Sequence, residues 1–163
     1  MSSGNKVTEA YDAVVSLPFC NLGLKFETGQ LVLSEYLKPD VRVFHSDCVE
    51  VEALAGQIQQ YVNNSDFRFQ IDLKTTGTKF QQKIWKILSD IPVGTVRTYG
   101  DIARQTASSA QAVGNACRAN PIPLIIPCHR VVSVSGIGGF AGSTSGYLVD
   151  IKRQLLKHEG LEF

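Results

Sequence analysis

The sequence predicts an α/β domain over residues 1–75 and a mostly α domain over residues 76–163. Segments rich in β-forming residues come early in the chain, whereas the 3.6-residue spacing of apolar residues dominates after residue 77. Residues 1–75 hold six Lys and Arg against ten Asp and Glu, and residues 76–163 hold ten against five. The net charges are therefore −4 and +5, so we expect the second domain to face a polyanion.

The elements of the first domain follow from its residue pattern. "YDAVVSLPFCNLGLKF" and "GQLVLSEYL" are separated by "ETG", which predicts strands joined by a turn. "SDFRFQIDL" alternates apolar and polar residues and predicts a further strand with one buried face. Between them, "VEVEALAGQIQQYVNN" predicts a helix whose apolar face carries Val51, Leu54, Ile58, Tyr61 and Val62.

The second domain begins after a linker, "KTTGTK". "TKFQQKIWKILSDI" predicts a helix with Thr78 as its N-cap, and "PVG" ends it. "TYGDIARQT" predicts a short helix, and "SSAQAVGNACRAN" predicts another after a turn at "ASS". Two short helices joined by a tight turn in a basic domain indicate a helix-turn-helix, and two packed core helices are the alternative.

Four cysteines, at positions 20, 48, 117 and 128, form no CxxC pair. No basic-then-apolar leader is present, and apolar runs are too short to span a membrane. We therefore expect free thiols in a reduced, cytoplasmic protein without membrane partners. A zinc site formed by His45, Cys48 and Cys20 is a weaker alternative, because three scattered ligands are not a zinc motif.

The segment "NPIPLIIPCHRVV", residues 120–132, places a cysteine and a histidine side by side. On a plain strand the two side chains would point in opposite directions, and His129 could not activate Cys128. Either the chain turns sharply after Pro127, or Cys128 is an ordinary core residue.

Three stretches in order carry a resemblance to a known family: "GTKFQQKIWKILSDIPVGTVRTYGDIA", "AVGNACRANPIPLIIPCHRVV" and "LLKHEG". Together they resemble the O6-alkylguanine-DNA alkyltransferases over residues 76–160. The resemblance implies an RNase H-like first domain and a second domain with a helix-turn-helix. It also implies a monomer that acts once on double-stranded DNA containing O6-alkylguanine, by transferring the alkyl group to its own cysteine. No cofactor or metal is expected.

The resemblance assigns Cys128 as the alkyl acceptor, His129 as the base and Glu159 as the carboxylate that orients it. Asn120 would brace the turn that holds the cysteine, and Tyr99 would assist protonation of the leaving guanine. The chemistry requires such residues, because thiolate is the best side-chain nucleophile and a neutral thiol is only a few per cent ionised at neutral pH. A His–carboxylate pair lowers the cost of ionising the thiol, as in a catalytic triad.

The resemblance also implies base flipping, because a lesion inside a duplex must leave the stack to meet Cys128. Residues 109–119 would enter the minor groove. The residues expected to bind DNA are Gln111, Ala112, Asn115, Arg118 and Arg130. The residues expected to form the lesion pocket are Val131, Phe140 and Ala141.

The sequence departs from the family pattern at three places. Gln111 stands where an arginine usually fills the gap left by the flipped nucleotide, and Phe140 stands where a tyrosine is usual. The loop after Gly142 is longer than usual before Lys152. These departures leave a second function class open: a homologue that recognises alkylated DNA but flips or repairs poorly without a protein partner. A Cys–His hydrolase is disfavoured, because nothing supplies an acyl-substrate pocket.

Overall fold

The computed structural model describes residues 10–139 and 145–163. The chain divides into two compact units between Thr75 and Thr76. Within the described residues, no helix combines the length and the apolar character needed to cross a membrane. Phe140 and Ala141, two of the predicted pocket residues, lie outside the described residues.

The described part of the first unit contains one long helix and a four-stranded antiparallel sheet with strand order β3-β2-β1-β4. The turn between β2 and β3 has positive φ at Thr28 (47°) and Gly29 (80°), which suits the twist of a two-residue hairpin. The predicted strands joined by "ETG" are thereby confirmed. The strands are β1 (Ala13–Ser16), β2 (Asn21–Glu27), β3 (Gln30–Leu37) and β4 (Phe44–His45).

Helix α1 (Val49–Asn63) follows the sheet in the chain. Its buried face carries four of the five predicted residues, and Val62 is half-buried at its edge. The helical prediction is therefore confirmed. The buried residues are Val51, Leu54, Ile58 and Tyr61.

The strand predicted for residues 65–73 is wrong. This segment makes a single bridge, between Leu73 and Leu31, instead of a ladder. The side chain of Gln57 takes both backbone groups of Gln70, at 2.9 Å from Nε2 to the carbonyl and 2.8 Å from the amide to Oε1. Phe69 packs on Tyr61 with ring centroids 5.5 Å apart. The alternating pattern therefore reflects one-sided burial against helix α1, and the side chain of Gln57 satisfies the backbone groups of Gln70.

The second unit contains the remaining elements. Helix α2 begins as predicted at the N-cap Thr78, whose hydroxyl accepts from the amide of Gln81 while the Gln81 side chain accepts from the amide of Thr78. The elements are α2 (Lys79–Ser89), β5 (Arg97–Thr98), α3 (Tyr99–Thr106), α4 (Ala110–Arg118), a 3-10 turn (Cys128–Arg130), β6 (Val131–Val132) and α5 (Tyr147–His158).

Two contacts position the elements that carry the site. The indole Nε1 of Trp85, on α2, donates to the carbonyl of Ala116 on α4 at 2.8 Å. Strands β5 and β6 pair in parallel, with Thr98 opposite Val132. Because α3 begins at Tyr99 and the 3-10 turn ends at Arg130, this pairing brings the start of α3 beside the Cys-His segment.

Candidate active site

Cys128 opens a 3-10 turn instead of continuing a strand. Its amide donates to the carbonyl of Ile126 at 2.8 Å, and the amide of Arg130 donates to the carbonyl of Pro127 at 3.0 Å. Its side chain is buried, with 7% of the residue exposed. The sharp turn after Pro127 is therefore confirmed, and the strand geometry that would separate Cys128 from His129 does not apply.

Asn120 closes the loop that leads to the cysteine. Its Nδ2 donates to the carbonyl of Ile126 at 2.9 Å, and its Oδ1 accepts from the amide of Ile122 at 3.0 Å. Its side chain also hydrogen-bonds Cys128. One amide side chain thus holds both ends of the loop and the thiol itself.

His129 and Glu159 form a fully buried pair, with 2.7 Å between Nε2 and Oε2. Burial alone would raise the pKa of Glu159, but the hydrogen bonds and charges of His129 and Arg130 outweigh it and hold that pKa well below its usual range. Burial lowers the pKa of His129, against the opposing effect of Glu159.

These shifts fix the tautomer of the imidazole. A neutral His129 facing an ionised Glu159 must carry its proton on Nε2, which leaves a bare lone pair on Nδ1. Nδ1 is buried and has no hydrogen-bond partner within the described part of the chain. The arrangement therefore provides a base whose free nitrogen is available to accept a proton.

Arg130 corrects a prediction, because its guanidinium does not reach a surface where it could bind DNA. It is 9% exposed. Its Nε donates to Glu159 Oε1 at 2.8 Å, one terminal nitrogen donates to Glu159 Oε2 at 3.1 Å, and the other donates to the carbonyl of Ile91 at 2.7 Å. The guanidinium therefore binds groups within the second unit.

Lys152 is a buried residue that sequence reasoning does not identify as part of the site. Its Nζ donates to the carbonyls of Val131 (2.7 Å) and Gly139 (2.9 Å). Burial lowers its pKa to about 8, an effect that Cys128 and Cys117 oppose. The sequence does contain a sign that Lys152 is buried, because it falls at helical spacing among the apolar residues of α5. Those residues are Val149, Leu155 and Leu156.

Burial is the main influence on the Cys128 thiol and raises its pKa. The hydrogen bond from Asn120, the positive charge of Lys152 and the backbone amide of Cys128 itself lower it in turn. The thiol is thus poor as a spontaneous nucleophile, and its surroundings contain the groups that would stabilise a thiolate.

Tyr99 lies at the start of α3 and is placed against the loop that follows β6. Its hydroxyl donates to the carbonyl of Gly139 at 3.4 Å, and Lys152 Nζ lies 5.8 Å from the ring centroid. Burial, with repulsion from Cys117 and Cys128, raises its pKa, so the phenol remains protonated and can donate. Gly138 has φ 75°, and a Cβ there would lie 3.2 Å from the Tyr99 ring. Only glycine suits this approach.

Val131, the described member of the predicted lesion pocket, is fully buried. Its amide donates to the carbonyl of Cys128, and its carbonyl accepts from Lys152. Its backbone therefore ties the cysteine turn to helix α5.

Helix α4 presents one polar face to solvent. Gln111, Asn115 and Arg118 are exposed at i, i+4 and i+7, and Ala112 beside them is half-buried. The opposite face, with Val113 and Ala116, is buried. The structure therefore groups four of the five predicted DNA-binding residues on one surface, and Arg130 is the exception.

The predicted alternative of a zinc site gains no support. Cys48 Sγ lies 2.6 Å from Glu50 Oε2, and His45 Nδ1 lies 3.7 Å from Glu52 Oε1. Cys20 is buried in the core. Among residues 10–139 and 145–163, no three His, Cys, Asp or Glu side chains are grouped so that they could hold a metal ion.

The chain is similar to known proteins in both sequence and fold. The family model of the 6-O-methylguanine DNA methyltransferase DNA-binding domain matches residues 79–161. The probable methylated-DNA–protein-cysteine methyltransferase of Acanthamoeba polyphaga mimivirus is 43% identical over 90 residues, which are 54% of this chain and 60% of that protein. The methylated-DNA–protein-cysteine methyltransferase of Mycobacterium bovis is 42% identical over 135 residues, 81% of this chain and 79% of that protein.

A solved structure extends the likeness to both units. The crystal structure of Mycobacterium tuberculosis OGT in complex with DNA has a TM-score of 0.75 and 33% identity, and the match covers 90% of each chain. The shared fold is a small antiparallel sheet followed by helices.

A cysteine at a tight turn, followed by a buried His–Glu pair, is an arrangement that could activate a thiol as a nucleophile. The matches specify the class of protein: the chain belongs to the 6-O-methylguanine DNA methyltransferase family. It spans about three fifths of the length of its mimiviral relative. These similarities give no support to the alternative in which Gln111 marks a recognition protein that repairs poorly on its own.

Proposed function

We propose that this protein repairs DNA by transferring an alkyl group from O6-alkylguanine to Cys128, once per molecule. The observation that carries the proposal is the buried His129–Glu159 pair directly after Cys128, with 2.7 Å between Nε2 and Oε2. It supplies a neutral base with a free Nδ1 next in the chain to a thiol that burial keeps protonated.

In the proposed step, a bond forms between Cys128 Sγ and the alkyl carbon while the bond from that carbon to guanine O6 breaks. His129 Nδ1 takes the thiol proton, directly or through a water molecule, and Tyr99 donates a proton to the guanine as it leaves. The proton that His129 takes from the thiol finally replaces the proton that Tyr99 has donated to the guanine. The products are a thioether and unmodified guanine, and no cofactor is consumed.

The DNA would be held by the exposed face of helix α4. We propose that α3 and α4 act as a helix-turn-helix whose second helix enters the minor groove, with Gln111, Asn115 and Arg118 toward the DNA. The target base would be flipped toward Cys128. The net charge of +5 on residues 76–163 supports this, and the affinity should fall steeply with salt because phosphate contacts release counterions.

Three finer proposals follow from the family likeness and the composition. The first unit would have an RNase H-like fold, since it combines an antiparallel sheet with a long helix. The protein would act as a monomer. It would work in the cytoplasm, where the four free cysteines would stay reduced.

The test is to incubate the protein with a duplex containing O6-methylguanine and measure its intact mass and its peptides. We expect a mass increase of one methylene group, located on Cys128, and restoration of one guanine per protein molecule. An unmodified duplex is the control. A protein that binds the lesion without any change in mass would refute the proposal.

A further inference from the structure

We infer that Arg130 is a positioning residue for alkyl transfer: its guanidinium fixes the Glu159 carboxylate behind His129 and ties both to the end of helix α2. This inference rests on the proposed function and adds a residue that acts without touching DNA or the alkyl group. It replaces the role in DNA binding that the sequence predicts for Arg130.

The guanidinium of Arg130 donates to two groups, the Glu159 carboxylate and the Ile91 carbonyl. Three nitrogens of Arg130 donate: two to the two oxygens of Glu159, at 2.8 and 3.1 Å, and one to the carbonyl of Ile91, at 2.7 Å. Glu159 Oε2 also faces His129 Nε2 at 2.7 Å. The carboxylate is therefore held from two sides, and its rotation, which would break the bond to His129, is blocked.

A lysine could not reproduce this arrangement. Its ammonium is a compact charge on a flexible stem, whereas the planar guanidinium makes two parallel bonds to a carboxylate and keeps a third donor for the Ile91 carbonyl. The Ile91 contact links Glu159 at the end of α5 to the residues that follow α2. Gly94 lies on the same side, since a Cβ there would be 3.5 Å from the carbonyl oxygen of Glu159.

The positive charge of Arg130 also affects the pKa of His129. Glu159 favours the imidazolium form of His129, whereas Arg130 and Lys152 oppose it, and burial opposes it most. The groups that face this site are Lys152 on α5, Glu159 directly after α5, and Cys128 and Arg130 on the 3-10 turn. Without Arg130, one of the charges that oppose the imidazolium form would be lost, so the pKa of His129 should rise.

The test compares Arg130→Gln and Arg130→Lys with the wild type by two readouts. The first is the titration of the His129 ring, followed by NMR of histidine-labelled protein before any reaction and assigned with His129→Asn. In Arg130→Gln the titration should move upward by about one pH unit or more, the scale on which a neighbouring charge acts. In Arg130→Lys, which keeps the charge, it should stay near the wild-type position.

The second readout is the single-turnover rate, measured with an O6-methylguanine duplex and with a free O6-benzylguanine base. We expect a loss of about a hundredfold in Arg130→Gln, as for a reacting group displaced by about 1 Å, and a smaller loss in Arg130→Lys. Both substrates should lose rate alike. A DNA-contacting arginine would instead slow the duplex reaction and spare the free base.

Arg153→Gln is the matched control, because this exposed arginine of α5 pairs, among the described residues, with Asp150 and the Phe163 carbonyl near its own end of the chain. It should react at the wild-type rate. If Arg130→Gln does not fold, a wild-type rate in folded Arg130→Lys would overturn the inference. So would a thermal destabilisation of either variant that leaves the His129 titration and the rate unchanged. A wild-type protein that takes up no alkyl group would refute the proposed function instead, and the titration would still report on Arg130.

Discussion

The two units bury different kinds of polar residue. In the described part of the first unit, the buried polar residues are neutral, Asn21 and Ser34, and Asn21 simply donates to the carbonyls of Pro39 and Val41. The described part of the second unit buries four basic or acidic side chains: His129, Arg130, Lys152 and Glu159. Burying a charge costs several kcal/mol unless it is paired and hydrogen-bonded. Each of the four has such partners: Glu159 accepts from His129 and Arg130, and Lys152 donates to the carbonyls of Val131 and Gly139.

The buried cysteines of the two units also differ, in the groups that influence their pKa. Burial raises the pKa of Cys20 to about 12, and no group opposes it. Burial also raises the pKa of Cys128, but there Asn120 and Lys152 act in the opposite direction. A buried thiol is thus inert in one unit, and in the other it is surrounded by groups that favour its ionisation.

The largest expected effect comes from removing the reactive thiol. Cys128→Ser should reduce alkyl transfer from an O6-methylguanine duplex below detection, because a hydroxyl is a far weaker nucleophile at neutral pH. Cys20→Ser, the matched change in the first unit, should retain transfer. Peptide mass spectrometry reads both results. Methyl groups found on Cys20 or Cys117 would break the comparison between the thiols.

Glu159→Gln should have the next largest effect. The amide lacks the charge that stabilises the imidazolium formed when His129 takes the thiol proton, so we expect a loss of about a hundredfold at neutral pH. The deficit should shrink at alkaline pH, where the thiol ionises without help. Rates with the free benzylguanine base across pH provide the measurement. Glu162→Gln, at an exposed position, should behave as wild type. An equal deficit at every pH would make Glu159 a structural residue only.

The buried carboxylate should also shape acid stability. Because Glu159 has a lower pKa in the folded state than its usual value near 4.5, its stabilisation is fully present above that value and is lost as the pH falls. The difference in unfolding free energy between wild type and Glu159→Gln should therefore shrink by about 2 kcal/mol from pH ~6 to pH ~3. Urea titrations at several pH values measure it. A difference independent of pH would contradict the depressed pKa.

The sequence predicts the features that depend on near neighbours. The N-cap predicted at Thr78 bonds to Gln81, three residues further on, and the turn of the predicted hairpin is made by Thr28 and Gly29 alone. The turn at Cys128 is one of two alternatives that the alternation of strand side chains leaves open, and the family resemblance favours it. These features are local, so a single sequence is enough to identify them.

The features that the sequence missed depend on distant partners. The sequence and its family resemblance predict that Arg130 binds DNA, but its guanidinium donates to Glu159, 29 residues further on. The strand expected at residues 65–73 fails because Gln57, on another element, takes the backbone groups of Gln70. Residue type and spacing do not report which partner a long polar side chain reaches.

The smallest effect concerns two glutamines on exposed helix faces, Gln111 on α4 and Gln59 on α1. If Gln111 contacts the DNA where the base leaves the stack, Gln111→Ala removes about one hydrogen bond, worth about 1 kcal/mol, and should slow duplex repair roughly fivefold. Reaction with the free benzylguanine base should not change, because it requires no flipping. Gln59, whose amide donates to Asn63 at 3.4 Å on the same helix, should tolerate alanine in both assays. Equal slowing of duplex repair by the two variants would show that DNA binding is not confined to the second unit. Slowing of the free-base reaction by Gln111→Ala would show that Gln111 affects the chemical step instead of base flipping.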